Sequence, residues 1–187
     1  MTSPWKIDEG WLPAARRVVS PNANDRPASA SVDLLVIHNI SLPPGEFGGD
    51  HIEALFTNTL DPTAHAYFAE IAHLNVSAHF LVRRDGELVQ FVSTDARAWH
   101  AGESAWCERT NCNDFSVGIE MEGTDDIPYE TVQYQALSRL VGALREYYPA
   151  MTPDAMVGHS EIAPGRKTDP GTAFDWQILR QYLSEAM

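Results

Sequence analysis

Residues 76–93 read VSAHFLVRRDGELVQFVS. Two runs rich in aliphatic, β-branched and aromatic residues flank Asp85-Gly86, a strong two-residue turn signal, so the stretch is expected to be a β-hairpin. A hairpin makes an antiparallel pair, and everything around it alternates between strand-like and helix-like segments.

Upstream, SVDLLVIHNISLPPGEFGG (residues 31–49) begins with the apolar run Leu34 to Ile37, typical of a buried strand. The run ends on His38 and Asn39 and breaks into the loop Pro43-Pro44-Gly45. Residues 51–59 and 63–73 are each expected to form a short helix, divided by Asp61-Pro62. Downstream, FSVGIEMEG (Phe115 to Gly123) reads as another strand with Glu120 near its C-terminal end. A long helix follows: Leu137, Leu140, Val141, Leu144 and Tyr148 keep the i, i+3, i+4, i+7 spacing of one apolar face, and Pro149 stops it. AMVGHS (residues 155–160) is a short strand ending on His159, and residues 175–185 close the chain as a helix. One antiparallel hairpin inside a strand–helix alternation implies an α/β fold, a single mixed central β-sheet flanked by helices. With 187 residues, one domain is expected over 1–187, its core about 30–176.

The formal net charge of −13 argues against sequence-independent nucleic-acid binding, which needs a basic face, and disfavours an anionic membrane surface. No run approaches the roughly 20 apolar residues of a membrane-spanning helix. The opening MTSPWKIDEGWLPAARRVVS lacks the apolar centre of a secretory signal, so a cytoplasmic protein is expected. Cys107 and Cys112 lack the C-x-x-C spacing of redox or zinc-ribbon motifs and read as reduced thiols.

His38, Glu120 and His159 each fall at or near a predicted strand end, where α/β folds place their sites. VGHSEIAPGRKTDPG (residues 157–171) adds Lys167 and Asp169 on a segment punctuated by Pro164, Gly165, Pro170 and Gly171, a constrained loop rather than a helix. Zinc takes imidazole nitrogens and carboxylate oxygens tetrahedrally, keeping one position for water in catalytic sites. His38, His159 and Asp169 would supply such a set. His51, His65, His73, His79 and His100 compete for the role, and spacing alone does not choose among them. No H-E-x-x-H helix occurs. Glu120 could orient a metal-bound water or be a surface carboxylate beside Glu122. Lys167, two residues before Asp169, would be carried close to any metal bound there, where a cation stabilises an oxyanion.

The segments LLVIHNISLPPGEFGG, DPTAHAYFAEIAHLNVSAHFLVRRDGELVQFV, RAWHAGES, CNDFSVGIEMEG and VGHSEIAPGRKTDPG together closely resemble the zinc N-acetylmuramoyl-L-alanine amidases, which include phage T7-type lysozyme and the peptidoglycan recognition proteins. The resemblance runs from about Asp8 to about Trp176. It implies that fold, one Zn2+ per chain on His38, His159 and Asp169, Glu120 as proton acceptor, and Lys167 as transition-state stabiliser. It further implies substrate contacts from Asn39, Tyr67, His79, Trp99 and His100. The implied reaction is hydrolysis of the amide between anhydro-N-acetylmuramic acid and L-alanine in 1,6-anhydro-muropeptides, for peptidoglycan recycling by a cytoplasmic monomer. Asn75 and Asn111 stand where the pattern places arginines, which bears on how stem-peptide carboxylates are held. Two rivals accompany this reading: an amidase of intact cell wall, and a muropeptide-binding regulator without catalysis.

Overall fold

The computed structural model describes residues 3–185. In chain order the elements are β1 (Arg16–Arg17), β2 (Ala23–Asp25), β3 (Leu34–Ile40), α1 (His51–Phe56), α2 (Ala66–Ile71), β4 (Phe80–Val82), β5 (Leu88–Gln90) and β6 (Ala96–Ala98). There follow β7 (Ala105–Trp106), β8 (Arg109–Thr110), β9 (Ser116–Glu122), α3 (Thr131–Tyr147), β10 (Met156–Gly158), α4 (His159–Ile162) and α5 (Trp176–Glu185). Six strands form the central sheet in the order β1-β5-β4-β9-β3-β10, parallel throughout except at the β4–β5 hairpin. The mixed sheet flanked by helices is therefore as the sequence implied.

Side-chain alternation divides the sheet into two faces. Leu35 and Ile37 of β3, Phe80 and Val82 of β4, and Val117, Ile119 and Met121 of β9 pack with Leu137, Leu140, Val141 and Leu144 of α3 and Leu179 of α5. On the other face, Leu81 joins Leu55, Phe56 and Phe68 under α1 and α2, while Leu34 and Val36 pack with Val157 and Ile162. The β9 alternation, which looks imperfect in sequence, is complete: Val117, Ile119 and Met121 hold the helical core, and Ser116, Gly118 and Glu120 take the opposite face.

Several boundaries differ from expectation. The hairpin turn has three residues rather than two: Arg83 N–H donates to Glu87 O (2.9 Å) and Gly86 N–H to Arg83 O (2.9 Å). Gly86 carries φ +85°, the left-handed residue that ends this turn type. The strand β3 continues past His38 to Ile40 because it is paired along its whole length with β9. The two short helices are trimmed to α1 and α2. His159 opens α4 instead of ending a strand. Strands β1, β2, β6, β7 and β8 have two or three residues each, too few to show a period.

Candidate functional site

The register of three neighbouring parallel strands assembles the site. His38 of β3 lies opposite Glu120 of β9, and Ile37 lies opposite Gly158 of β10, so His159 arrives level with His38. The loop after α4 brings Asp169 to them. Asp169 O accepts from Ser160 N–H (3.0 Å), Ala163 O accepts from the backbone N–H of Arg166 and Lys167 (both 3.1 Å), and Tyr129 Oη donates to Pro170 O (2.9 Å). Gly171 closes the loop at φ +79°, where an added Cβ would lie 2.1 Å from Asp125 Cα. The Pro/Gly-rich segment is thus a loop fixed at several points.

His38 Nδ1, His159 Nδ1 and Asp169 Oδ2 form a triangle with sides of 3.0, 3.1 and 3.0 Å. A tetrahedral zinc with ligands at roughly 2.0–2.1 Å holds its ligand atoms about 3.3 Å apart, so this donor set fits the ion in type and nearly in size. Among the described residues it is the one group of three His, Cys, Asp or Glu side chains close enough to hold a metal. Each imidazole's far nitrogen is engaged: His159 Nε2 with Ala101 O (3.0 Å), His38 Nε2 with His100 Nδ1 (2.9 Å). Burial pushes the His38 imidazole down to about 4, so it is neutral at pH 7, as a metal ligand must be. Burial alone would raise Asp169, but hydrogen bonds with His159 and His38 outweigh it and hold the carboxyl well below its usual range.

Glu120 is buried beside this triangle, and its Oε2 has no hydrogen-bond partner among the described residues. Burial, and then the Asp169 charge, pushes its carboxyl well above the usual range, partly opposed by Lys167. The triangle, Glu120 and Lys167 line a cleft of about 560 Å³. One wall is apolar, from Leu55, Phe56, Leu74, Val76 and the half-buried Trp99; the other is polar, from Asn39, Asp125, Arg166, Lys167 and Thr168.

The expected substrate contacts divide. Asn39 and Trp99 line the cleft; Asn39 Nδ2 donates to Asp125 Oδ1 (2.7 Å), and Trp99 Nε1 donates to Asn24 Oδ1 (2.7 Å). His100 also lines it, but both ring nitrogens are taken, by His38 and by Ser116 Oγ (3.2 Å). His79 is fully buried and absent from the cleft wall. Its Nδ1 accepts from Gly118 N–H (3.0 Å) and its Nε2 faces Ala96 O (3.1 Å), so it braces the sheet. Tyr67 stands on the exposed side of α2, outside the cleft wall. Of the competing histidines, His51 stacks on Phe68, His65 caps α2 through Tyr67 N–H, and His73 is exposed. Cys107 and Cys112 are unpaired thiols, exposed and buried respectively.

Sequence reasoning passed over Arg166, Asp125 and Leu74. Arg166 adjoins Lys167 and Asp125 follows the end of β9, so both carried a signal; Leu74 gave none.

Residues 28–172 match the family profile described as N-acetylmuramoyl-L-alanine amidase. The chain is 60% identical over 178 residues, 95% of each chain, to the 1,6-anhydro-N-acetylmuramyl-L-alanine amidase AmpD of Citrobacter freundii. It superposes on a crystal structure of a selenomethionine derivative of AmpD with a TM-score of 0.92, at 59% identity, covering 95% of this chain and 98% of that one. The Escherichia coli amidase AmiD, solved with its substrate anhydro-N-acetylmuramic acid-L-Ala-D-gamma-Glu-L-Lys, matches at 30% identity and TM-score 0.59, covering 84% of this chain and 60% of that one. By profile, by sequence and by superposition alike, this chain belongs to the N-acetylmuramoyl-L-alanine amidase family.

Proposed function

We propose that this amidase uses zinc, held by His38, His159 and Asp169, to cleave the amide between the lactyl group of 1,6-anhydro-N-acetylmuramic acid and L-alanine in soluble muropeptides. The observation that carries the reading is the 3.0–3.1 Å donor triangle beside a buried carboxylate oxygen with no partner among the described residues. A zinc held by these three residues would supply Lewis-acid chemistry, making a water acidic near neutrality and polarising the scissile carbonyl. Glu120 accepts the water proton as the new C–O bond forms, and returns it to the alanine nitrogen as the C–N bond breaks. Lys167, at the cleft mouth, balances the charge on the tetrahedral oxyanion. Trp99 and the apolar wall suit the bicyclic sugar, and Asn39 offers polar contact.

That the relatives in Citrobacter freundii and Escherichia coli are 1,6-anhydro-N-acetylmuramyl-L-alanine amidases supports the anhydro-muropeptide substrate. The reading takes the protein as a monomer with a single amidase domain over 1–187. No described helix is long and apolar enough to cross a membrane.

Side-by-side turnover of anhydromuramyl and reducing muramyl peptides with one stem tests the reading, with zinc content measured on the same preparation. The anhydro form should have much the higher kcat/KM, and chelation should abolish it reversibly. Equal rates, or preference for intact cell wall, would move the protein to the general cell-wall amidases. Binding without turnover in zinc-loaded protein would make it a regulator.

A further inference from the structure

His38 can ligate a cation through Nδ1 only if the ring proton sits on Nε2, and a neutral imidazole otherwise has both tautomers within reach. The structure holds a hydrogen-bonded chain that favours the Nε2–H form, in competition with the Asp169 carboxylate, whose Oδ2 lies 3.1 Å from His38 Nδ1 and draws the proton the other way when no cation is bound. Ser116 Oγ donates to Cys112 O (2.6 Å), a carbonyl that can only accept, so the hydroxyl proton is committed. Ser116 Oγ is then an acceptor toward His100 Nε2 (3.2 Å), which must carry a proton. His100 Nδ1 therefore presents its lone pair to His38 Nε2 (2.9 Å), which must be the donor. The lone pair of His38 is left on Nδ1, pointing at His159 and Asp169. The two rings meet edge to face, with centroids 5.0 Å apart and an interplanar angle of 82°, consistent with an in-plane N–H aimed at the neighbour.

The backbone is shaped for this relay. Gly118 lies beneath the His100 ring, and an added Cβ would come 2.4 Å from its Cγ. His100 N–H and Ala101 N–H both donate to Asn113 Oδ1 (3.0 and 2.8 Å), fixing the segment that carries the ring. Ala101 in turn supplies the carbonyl that engages His159 Nε2. One short segment thus sets the tautomer of both histidines.

We infer that His100, oriented by Ser116, is a positioning residue that fixes His38 in the Nε2–H tautomer and so tunes zinc affinity, rather than a substrate contact. The inference rests on His38 being a zinc ligand. Outer-shell partners of ligating histidines typically contribute 10–100-fold to metal affinity. Ser116 acts two residues removed from the metal: without its acceptor oxygen, His100 is free to protonate Nδ1. That proton would face His38 Nε2 and drive the His38 proton onto the ligand atom.

The test is zinc affinity by competition with a chromophoric chelator, alongside 15N spectra of the histidine rings in metal-free protein. In the parent, His38 should show a pyridine-type Nδ1 and a pyrrole-type Nε2. His100→Leu should lose roughly 10–100-fold in zinc affinity. His100→Asn, whose Oδ1 stands in for the accepting nitrogen, should stay close to the parent. Ser116→Ala should weaken binding and mix the His38 tautomers while leaving circular dichroism unchanged, which keeps the test sound if His100→Leu folds poorly. Parent-like affinity in both His100→Leu and Ser116→Ala, or a pyrrole-type Nδ1 in the parent, would overturn the inference. A parent that binds no zinc would instead overturn the proposed metal site itself.

Discussion

A buried carboxylate oxygen without a partner costs roughly 1–3 kcal/mol or more, so Glu120 is retained at the expense of stability. Glu120→Gln keeps the shape but cannot take a proton. Turnover should fall roughly 10²–10⁴-fold while zinc content, read by elemental analysis, stays at the parent's level. Loss of zinc in that variant would mean Glu120 is a ligand. Lys167→Ala should also keep its zinc, and its loss should fall on kcat more than KM, as for a group that acts on developing charge. His38→Ala, His159→Ala and Asp169→Ala should each lose the metal. At this scale the sequence was informative where chemistry needs particular atoms, and silent on which histidines hydrogen-bond within the fold. His79 and His100 sit in segments as suggestive as that of His38, yet their ring nitrogens are consumed by Gly118, Ala96, His38 and Ser116. Those partners lie up to 62 residues away in the chain, and no local pattern reports them.

Elements long enough to show a period were readable: β3, β9, α3 and the hairpin all stand where the apolar pattern placed them. Two-residue strands such as β1 were not, because they are defined by backbone partners and carry exposed side chains. The loop from Ala163 to Gly171 is the element on which the site depends most. Its dense Pro and Gly showed that it was constrained, but not toward what. Gly171→Ala places a methyl against Asp125 at a positive φ, which should destabilise by more than about 1 kcal/mol and displace Asp169. The expected result is a lower denaturant midpoint together with weaker zinc binding. A stability loss with unchanged zinc affinity would show that Asp169 is held independently of the loop's closure.

For the molecule as a whole, buried ionisable groups set the pH response. Burial lowers His79 to about 3, His38 to about 4, and His100 well below its ordinary value. In the metal-free protein these three stay neutral when folded and take up protons when unfolded below about pH 6.5. Their stabilising contribution is therefore complete above that pH and is lost as pH falls toward 3–4. Glu120 works the other way, because burial keeps it protonated in the fold above the ordinary glutamate pKa. From about pH 6 down to 5, His38 and His79 bind protons in the unfolded chain and not in the fold, each worth roughly 1.4 kcal/mol per pH unit. Chelator-treated protein should lose urea stability steeply over that interval; a flat profile would show that these histidines are already charged in the fold. Sheet order was the least readable feature at this scale. Parallel neighbours such as β3, β9 and β10 are joined by long crossovers, so only the assembled register brings His38, Glu120 and His159 abreast.

Strand β9 interleaves two kinds of position. Val117, Ile119 and Met121 face the α3 core, while Ser116, Gly118 and Glu120 face the cleft and its supports. A saturation scan along 116–121, scored separately for soluble yield and for turnover per soluble molecule, should therefore give two combs offset by one tooth. Polar substitutions at odd positions should deplete yield, while conservative ones at 116 and 120 should spare yield and depress turnover; Gly118, whose added Cβ would meet the His100 ring, should tolerate none. The odd register is thus open to hardening for heat tolerance, while the even register, which carries the proposed base and the supports of His100, leaves little room for change.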